Sequence, residues 1–534
     1  MVVHSDLPYP EGVAASEILK VGETSGNASS GVRELLKGSG IAGLISLCTS
    51  GVQVLASGLS LWFNFGKATT QFALGYSTAL LGAGYLIGIT SGLAMLVGII
   101  LAWGIFIPYF TSTGAPADGQ ILQQFAQFCY TEKVRLIGAG AMGVAAVWTL
   151  IKLMRPFIDG VKESIQLAKI PSDKQKNSRT NLDMSIKSIL AVFFVMLAGL
   201  LGTFYSFISA AGLPFAQELL FTFAGVFLAL FIGFLIAAAC AYMAGLVGTS
   251  SSPISGIAIL AIIISSLVIM AICNSLGIFD ITGGEKLATA TAIFTTSIVL
   301  AIACISNDNM QDLKTGFLVN ATPRNQQIAL ILGCIIGALV IAPVLNILYQ
   351  AYGFTGALPR PDMNPEEALA APQATLMTMI AQGIFSNNLA WKYIYCGIGL
   401  GVVIVIADEL LKKFTKIFAL PPLAVGIGIY LPPSLQTPLI IGAVLSYILE
   451  RKTKTVEELE AGKKRGTLFA SGLIVGESLI GVIIAEIVAV SVSSGGSETP
   501  FALVGADFQG TADILGLAAF VAVLGIFYKI VRQN

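Results

Sequence analysis

Ser306 to Gln327 reads SNDNMQDLKTGFLVNATPRNQQ and stands between two apolar runs, 287–305 and 327–349. Each flanking run is long enough to cross a bilayer, which takes about 20 residues. Eleven polar or charged residues of this stretch, Asn307, Asp308, Asn309, Gln311, Asp312, Lys314, Thr315, Asn320, Arg324, Gln326 and Gln327, therefore gather at one membrane boundary, where lipid makes polarity costly. Two readings are open. The stretch is a solvated loop, which suits Arg324 to Gln327, or it is a gate or site wall, because Gly316-Phe317-Leu318-Val319 suggests a segment dipping back toward the bilayer.

The whole chain has the same character. Hydrophobic residues make up 55% of the 534 and charged residues 11%, with 57 glycines and a mean hydropathy of +0.83. Soluble domains lie far from these values, so the fold class is all-α, a polytopic membrane protein. Thirty basic and thirty acidic side chains cancel, and nothing points to nucleic acid. The seven cysteines form no CxxC pair and sit mostly in apolar runs, as packing residues do. His4 is the sole histidine and lies in the polar N-terminal stretch, so no histidine-based metal or proton site is expected in the membrane. No metal or cofactor is implied.

Apolar windows fall near 40–61, 73–88, 91–110, 133–151, 187–208, 218–246, 253–276, 287–305, 327–349, 391–410, 419–431, 433–450, 466–492 and 512–531, about fourteen passes. Basic residues test the count, since Lys and Arg are retained on the cytoplasmic side. With the N-terminus inside, all of the 30 except Lys67, Lys133, Arg135, Lys286, Arg360 and Lys392 fall in cytoplasmic segments. An even count with both termini inside follows. The window 419–431 is short and bracketed by Pro421, Pro422, Pro432 and Pro433, so a broken or re-entrant helix is expected there. The organisation predicted is a cytoplasmic segment 1–39, a transmembrane group 40–151, a basic cytoplasmic loop 152–186, a central group 187–349, an extracytoplasmic loop 350–390 and a final group 391–531. Within the loop, Ala371-Pro372-Gln373-Ala374-Thr375 and Gln382-Gly383-Ile384-Phe385 are apolar enough for half-helices over the outer mouth or for an amphipathic surface helix.

Two parts of the chain look alike. Gly82-Ala83-Gly84-Tyr85-Leu86, Gly88 and the Gly98 segment are followed by Arg135. Gly426-Ile427-Gly428-Ile429-Tyr430-Leu431, Pro432 and the Gly442 segment are followed by Arg465. The charge-derived topology runs the Gly98 helix outward and the Gly442 helix inward, as inverted repeats require. The alternative is likeness by composition alone. Small residues at four-residue spacing, Gly84, Gly88 and Gly92, then Gly472 and Gly476, let helix backbones approach closely and argue packing.

Glu477 lies about ten residues into the window 466–492, among Ser471, Gly472, Gly476 and Ser478. A carboxylate at that depth is costly and usually faces a cavity or a partner, which makes it the first candidate for a substrate contact or a proton-carrying group. A hydrogen-bonded structural Glu is the alternative. Asp308 and Asp312 are the other candidate proton carriers. Ser251 and Ser252, in the uncharged run Gly248 to Gly256, offer hydroxyls from an unwound helix or mark a tight turn. Gln311, Lys314, Gln373, Tyr85 and Tyr430 complete the candidate substrate-binding or coupling set. No phosphate-binding GxxxxGK[ST] loop and no HExxH or GxSxG motif occurs, so neither ATP-driven transport nor an enzyme is expected.

At these residues the chain resembles the oligopeptide transporter family, which includes the yellow stripe-like metal-chelate transporters. The elements are Leu7-Pro8-Tyr9-Pro10-Glu11-Gly12, Gln311-Asp312-Leu313-Lys314-Thr315-Gly316, Ala371-Pro372-Gln373-Ala374-Thr375, and Ala470-Ser471-Gly472-Leu473 with Gly476-Glu477. The resemblance implies a proton-coupled importer of peptides, peptide-like compounds or metal chelates, working by alternating access; the expected location is the cytoplasmic membrane of a prokaryote. Its partners would be a small-molecule substrate, protons and the bilayer, and a homo-oligomer is open. In family members the Leu-Pro-Tyr-Pro-Glu-Gly element usually follows several transmembrane helices, so a chain lacking N-terminal helices is expected; a passive channel or an inactive remnant is the competing reading.

Overall fold

A computed structural model describes the chain apart from residues 1, 3–6, 8, 10, 14, 17–18, 21–28, 117–120, 146, 150, 153–178, 248–253, 282, 362, 364–367, 370, 386–389, 415–418, 452–454, 498 and 533–534. Helix α1, Ser29–Ser46, passes into a π-helical turn at Leu47–Gly51. An antiparallel hairpin follows, β1 Gly58–Phe65 and β2 Ala68–Gly75, with Phe65 paired to Ala68 across the turn at Gly66 and Lys67. Helix α2, Thr78–Thr113, is broken at Gly88, whose φ of 77° and ψ of 172° belong to glycine alone. Helix α3, Leu122–Cys129, continues through a π-helical turn at Tyr130–Val134 into residues 135–145.

Next come α4 Ile186–Ser209, α5 Phe215–Val247, α6 Ile254–Leu276, α7 Gly284–Leu318 and α8 Pro323–Tyr352. The remaining helices are α9 Pro372–Phe385, α10 Trp391–Phe414, α11 Pro422–Tyr430, α12 Pro433–Arg451, α13 Val456–Ser493 and α14 Gln509–Val531. Nine helices among the described residues are long and apolar enough to cross a membrane. Large apolar side chains such as Val195, Phe234, Leu339 and Ile514 remain exposed on them, as on a surface that faces lipid. The chain is an all-α polytopic membrane protein with one small hairpin.

Three sequence expectations are corrected. The window 40–61 is not one helix: its second half enters β1, where the aromatic residues Trp62, Phe63 and Phe65, together with the polar Ser60 and Asn64, suit a strand better than a span. The windows 73–88 and 91–110 are not separate passes but the two arms of α2, joined at Gly88. The polar stretch 306–327 does not dip back. Residues 306–318 are the last turns of α7, a turn follows with Asn320 at φ 58°, and α8 starts at Pro323. The window 419–431 is the short α11 between prolines, as expected of a broken helix.

Packing divides the chain into two units. The first comprises Met1–Gly26, Ala146–Val340 and Gln373–Leu389; the second comprises Asn27–Ala145, Ile341–Pro372 and Ala390–Asn534. In the first, Gly233 of α5 faces Ile302 of α7, and Phe294 of α7 packs on Phe204 and Phe207 of α4 at 4.8 and 5.0 Å between ring centroids. In the second, Gly472 and Gly476 of α13 lie against the α1 backbone: a Cβ on Gly472 would meet the Leu35 carbonyl oxygen at 2.3 Å and one on Gly476 would meet that of Ser39 at 2.1 Å. The four-residue glycine spacing is therefore a packing device here.

The second unit also holds the two similar segments against each other. A Cβ on Gly84 would lie 2.0 Å from the Leu439 carbonyl oxygen, and one on Gly428 would lie 2.4 Å from that of Met95. Likewise a Cβ on Gly442 would run into the Leu81 carbonyl oxygen, and one on Gly98 into that of Val425. The second contact of each pair is the first shifted by one interval, since 428 − 84 and 439 − 95 are both 344, as are 425 − 81 and 442 − 98. Residue numbers rise along one helix as they fall along the other, so the helices pack antiparallel. Reciprocal contacts of this kind are what a two-fold related internal repeat produces.

Candidate functional site

Glu477 stands at the start of α2. Its carboxylate accepts hydrogen bonds from the Ser77 hydroxyl at 2.6 Å, the Thr78 hydroxyl at 2.6 Å and the Ala79 amide at 2.8 Å. Ser77 is the N-cap of α2 and accepts from the Leu80 amide at 3.1 Å. The first amides of a helix have no partner within it and carry the positive end of the helix dipole, so an anion is favoured there. Glu477 is half-buried, which leaves it within reach of solvent or ligand. Ser471 on the same helix is half-buried and Ser478 is exposed; Glu486 is exposed too.

A second carboxylate, which sequence reasoning missed, serves the other broken helix. Asp408 of α10 is 1% exposed, pairs with Lys412 and accepts from the Leu420 amide at 2.9 Å, two residues before α11. The signal available was an Asp one helical turn before a Lys at the end of an apolar window.

Tyr85 and Tyr430 lie in packed interfaces. The Tyr85 ring packs against Phe527 of α14, tilted by 40° at 4.7 Å between centroids, and its hydroxyl lies where a side chain on Gly466 would sit. Tyr430 ends α11; its carbonyl accepts from the Tyr130 hydroxyl at 2.8 Å, and its hydroxyl accepts from Arg135 at 3.1 Å. Each tyrosine thus packs on the helix that follows the other copy of the repeat, near Gly466 and near Gly138 respectively.

In the first unit, Gln311, Lys314 and Thr315 of α7 hold residues near the N-terminus. The Gln311 side chain accepts from the Gly12 amide at 2.8 Å and donates to the Ala244 carbonyl at 2.6 Å. The Thr315 hydroxyl donates to the Gly12 carbonyl at 3.0 Å. Lys314 donates to the Val2 carbonyl at 3.2 Å and lies over the rings of Tyr9 and Phe317 at 5.4 and 5.7 Å. Two of the elements that carry the family resemblance, Leu7 to Gly12 and Gln311 to Gly316, therefore hold each other, which explains why Gln311, Lys314 and Thr315 stand on the end of α7. Asp308 and Asp312 are exposed on that helix, while Asn307 is fully buried and neither amide atom has a partner among the described residues. Gln373 is exposed at the start of α9. Ser251 and Ser252 lie outside the described residues. Gln311 and Lys314 both contact the N-terminal residues in the first unit, whereas Glu477, Tyr85 and Tyr430 lie in the second unit on separate partners, Ser77 to Ala79, Phe527 and Arg135 respectively. Among the described residues no group of three or more His, Cys, Asp or Glu side chains is placed to hold a metal ion.

Residues 1–488 match the family described as OPT oligopeptide transporter protein. A Haemophilus influenzae protein named "Putative oligopeptide transporter" is 51% identical over 532 residues, covering 99% of this chain and 84% of its own. An Arabidopsis thaliana protein named "Probable metal-nicotianamine transporter YSL8" is 23% identical over 523 residues, covering 90% of this chain and 66% of its own. A Saccharomyces cerevisiae protein named "Putative oligopeptide transporter YGL114W" is 29% identical over 192 residues, 35% of this chain and 25% of its own.

Proposed function

The chain belongs to the oligopeptide transporter family, and from that premise we propose a proton-coupled secondary transporter that imports oligopeptides, peptide-like compounds or metal chelates by alternating access. Membership makes it a transporter and not an enzyme. We place it in the cytoplasmic membrane of a prokaryote, which its 51% identity to a Haemophilus influenzae protein supports, with both termini inside.

The observation that carries the coupling is the set of three donors on Glu477. As a carboxylate the group only accepts, and it satisfies the start of α2; once protonated it becomes a donor on one oxygen and that match is lost. Proton uptake at Glu477 then weakens the attachment of α13 to the first turn of α2, and proton release restores it. Because α2 is broken at Gly88, its first arm can respond without moving the whole helix. Broken helices facing each other across a two-fold are where transporters of this build bind their cargo.

The test is uptake of labelled peptides and metal chelates into vesicles holding the purified protein, with and without an imposed pH gradient. Accumulation that collapses when an uncoupler is added supports the reading, whereas flux indifferent to the gradient makes the protein a channel.

A further inference from the structure

Arg135 has little to bind for a guanidinium in a membrane protein. One terminal nitrogen donates to the neutral Tyr430 hydroxyl at 3.1 Å, and the guanidinium lies 4.6 Å from the centre of that ring. Its Nε is buried with no acceptor, and among the described residues no carboxylate pairs with it. A cation set among apolar helices without a counter-charge is costly. Arg465, its counterpart in the repeat, also has a buried Nε without an acceptor, but its terminal nitrogen donates to a backbone carbonyl, that of Val531 at 3.1 Å, where Arg135 has only a hydroxyl.

A second group beside the same tyrosines is also unsatisfied. Trp103 is 3% exposed, its ring is 5.1 Å from that of Tyr130, and its indole N–H has no acceptor among the described residues. The Tyr130 hydroxyl in turn donates to the Tyr430 carbonyl. Trp103 lies in the π-helical turn Ile100–Phe106, and Tyr130 in the π-helical turn Tyr130–Val134 that ends just before Arg135. Such turns are rare and frequently mark functional sites. Two buried N–H groups, the Arg135 Nε and the Trp103 indole, therefore flank one tyrosine pair without an acceptor among the described residues, and the guanidinium has no counter-charge there.

We propose that Arg135, with the Trp103 indole N–H, binds a carboxylate of the transported compound, with Tyr430 as the platform under the guanidinium. Arg is suited to the task because its planar fork matches a carboxylate while its face stacks on a ring. Peptides with a free C-terminus and carboxylate-bearing chelators both present the group, and a C-terminal amide does not. The proposal rests on the transport reading, yet binding can be measured without transport.

The experiment is calorimetric titration of the purified full chain in detergent with trialanine and with its C-terminal amide. The expected result is that trialanine binds at least about tenfold more tightly than the amide. Arg135→Gln should remove that difference while leaving weak binding of both, and Arg135→Lys should restore part of it. Trp103→Phe, which keeps the ring, should lower trialanine affinity about fivefold. Equal binding of the two probes by the parent protein, no saturable binding of either, or a preference that survives Arg135→Gln overturns the proposal. Uptake that is insensitive to the proton gradient bears on the transport reading alone.

Discussion

Gly84 and Leu439 meet so closely that a methyl group on the glycine would lie 2.0 Å from the leucine carbonyl oxygen, and Gly428 repeats the relationship with Met95 at 2.4 Å. The crossing of α2 with α11 and α12 therefore depends on the absence of side chains on both members of the repeat. Gly84→Ala and Gly428→Ala should each destabilise the protein by about 1–3 kcal/mol, since backbone cannot yield as a flexible side chain does. Gly143→Ala, at a position with nothing within 4 Å, should be neutral. Thermal unfolding in detergent checks all three, and equal midpoints would remove the packing argument.

Gly88 poses a different constraint. It has room for a methyl group, but its φ of 77° with ψ of 172° is not accessible to alanine without strain. Gly88→Ala should cost about 1–3 kcal/mol and reduce uptake, because it opposes the break that separates the two arms of α2. Full uptake by that variant would show that the break is dispensable.

Asp408 should matter to the second broken helix as Glu477 does to the first. Asp408→Asn keeps an acceptor for the Leu420 amide but removes the charge facing Lys412. We expect a loss of about 1–3 kcal/mol in unfolding, with Asp408→Ala worse than Asp408→Asn. The reverse order would separate α11 from this carboxylate.

Gln311 is predicted to fasten the N-terminal element. Gln311→Ala leaves the Gly12 amide and the Ala244 carbonyl without their present partners. Limited proteolysis should then cut near residues 7–13 several times faster, while Asp312→Asn, on the exposed side of α7, should change nothing. Unaltered cleavage of the Gln311 variant would contradict the assignment.

What the residues disclosed and what they hid have physical reasons. Helix class, the break at Pro421 to Pro433 and the likeness of the Gly84 and Gly428 segments were legible because hydropathy, proline and glycine act locally. The hairpin was not, since Leu59, Leu61 and Phe63 are as apolar as a span; the aromatic residues Trp62, Phe63 and Phe65 and the Gly66 turn were its only signals. The role of Gln311 was hidden because its partners Gly12 and Ala244 are remote in sequence. Glu477 was found through the cost of a carboxylate at membrane depth, but its donors, Ser77 to Ala79, lie some 400 residues away and could be known only from the fold. Trp103 gave no sequence signal, and Arg135 stood out only by following the first copy of the repeat outside the cytoplasmic segments; the buried N–H that each leaves without an acceptor shows only in three dimensions.

The most direct test of proton coupling through Glu477 is the pH-gradient dependence of uptake by the Glu477→Gln protein in vesicles, beside the parent and Glu477→Asp. Gln can still accept from Ser77 or Thr78 but cannot take up a proton, so the account predicts stable protein whose uptake no longer responds to the gradient, with partial response in the Asp variant. Gradient-driven accumulation by Glu477→Gln equal to that of the parent would contradict it.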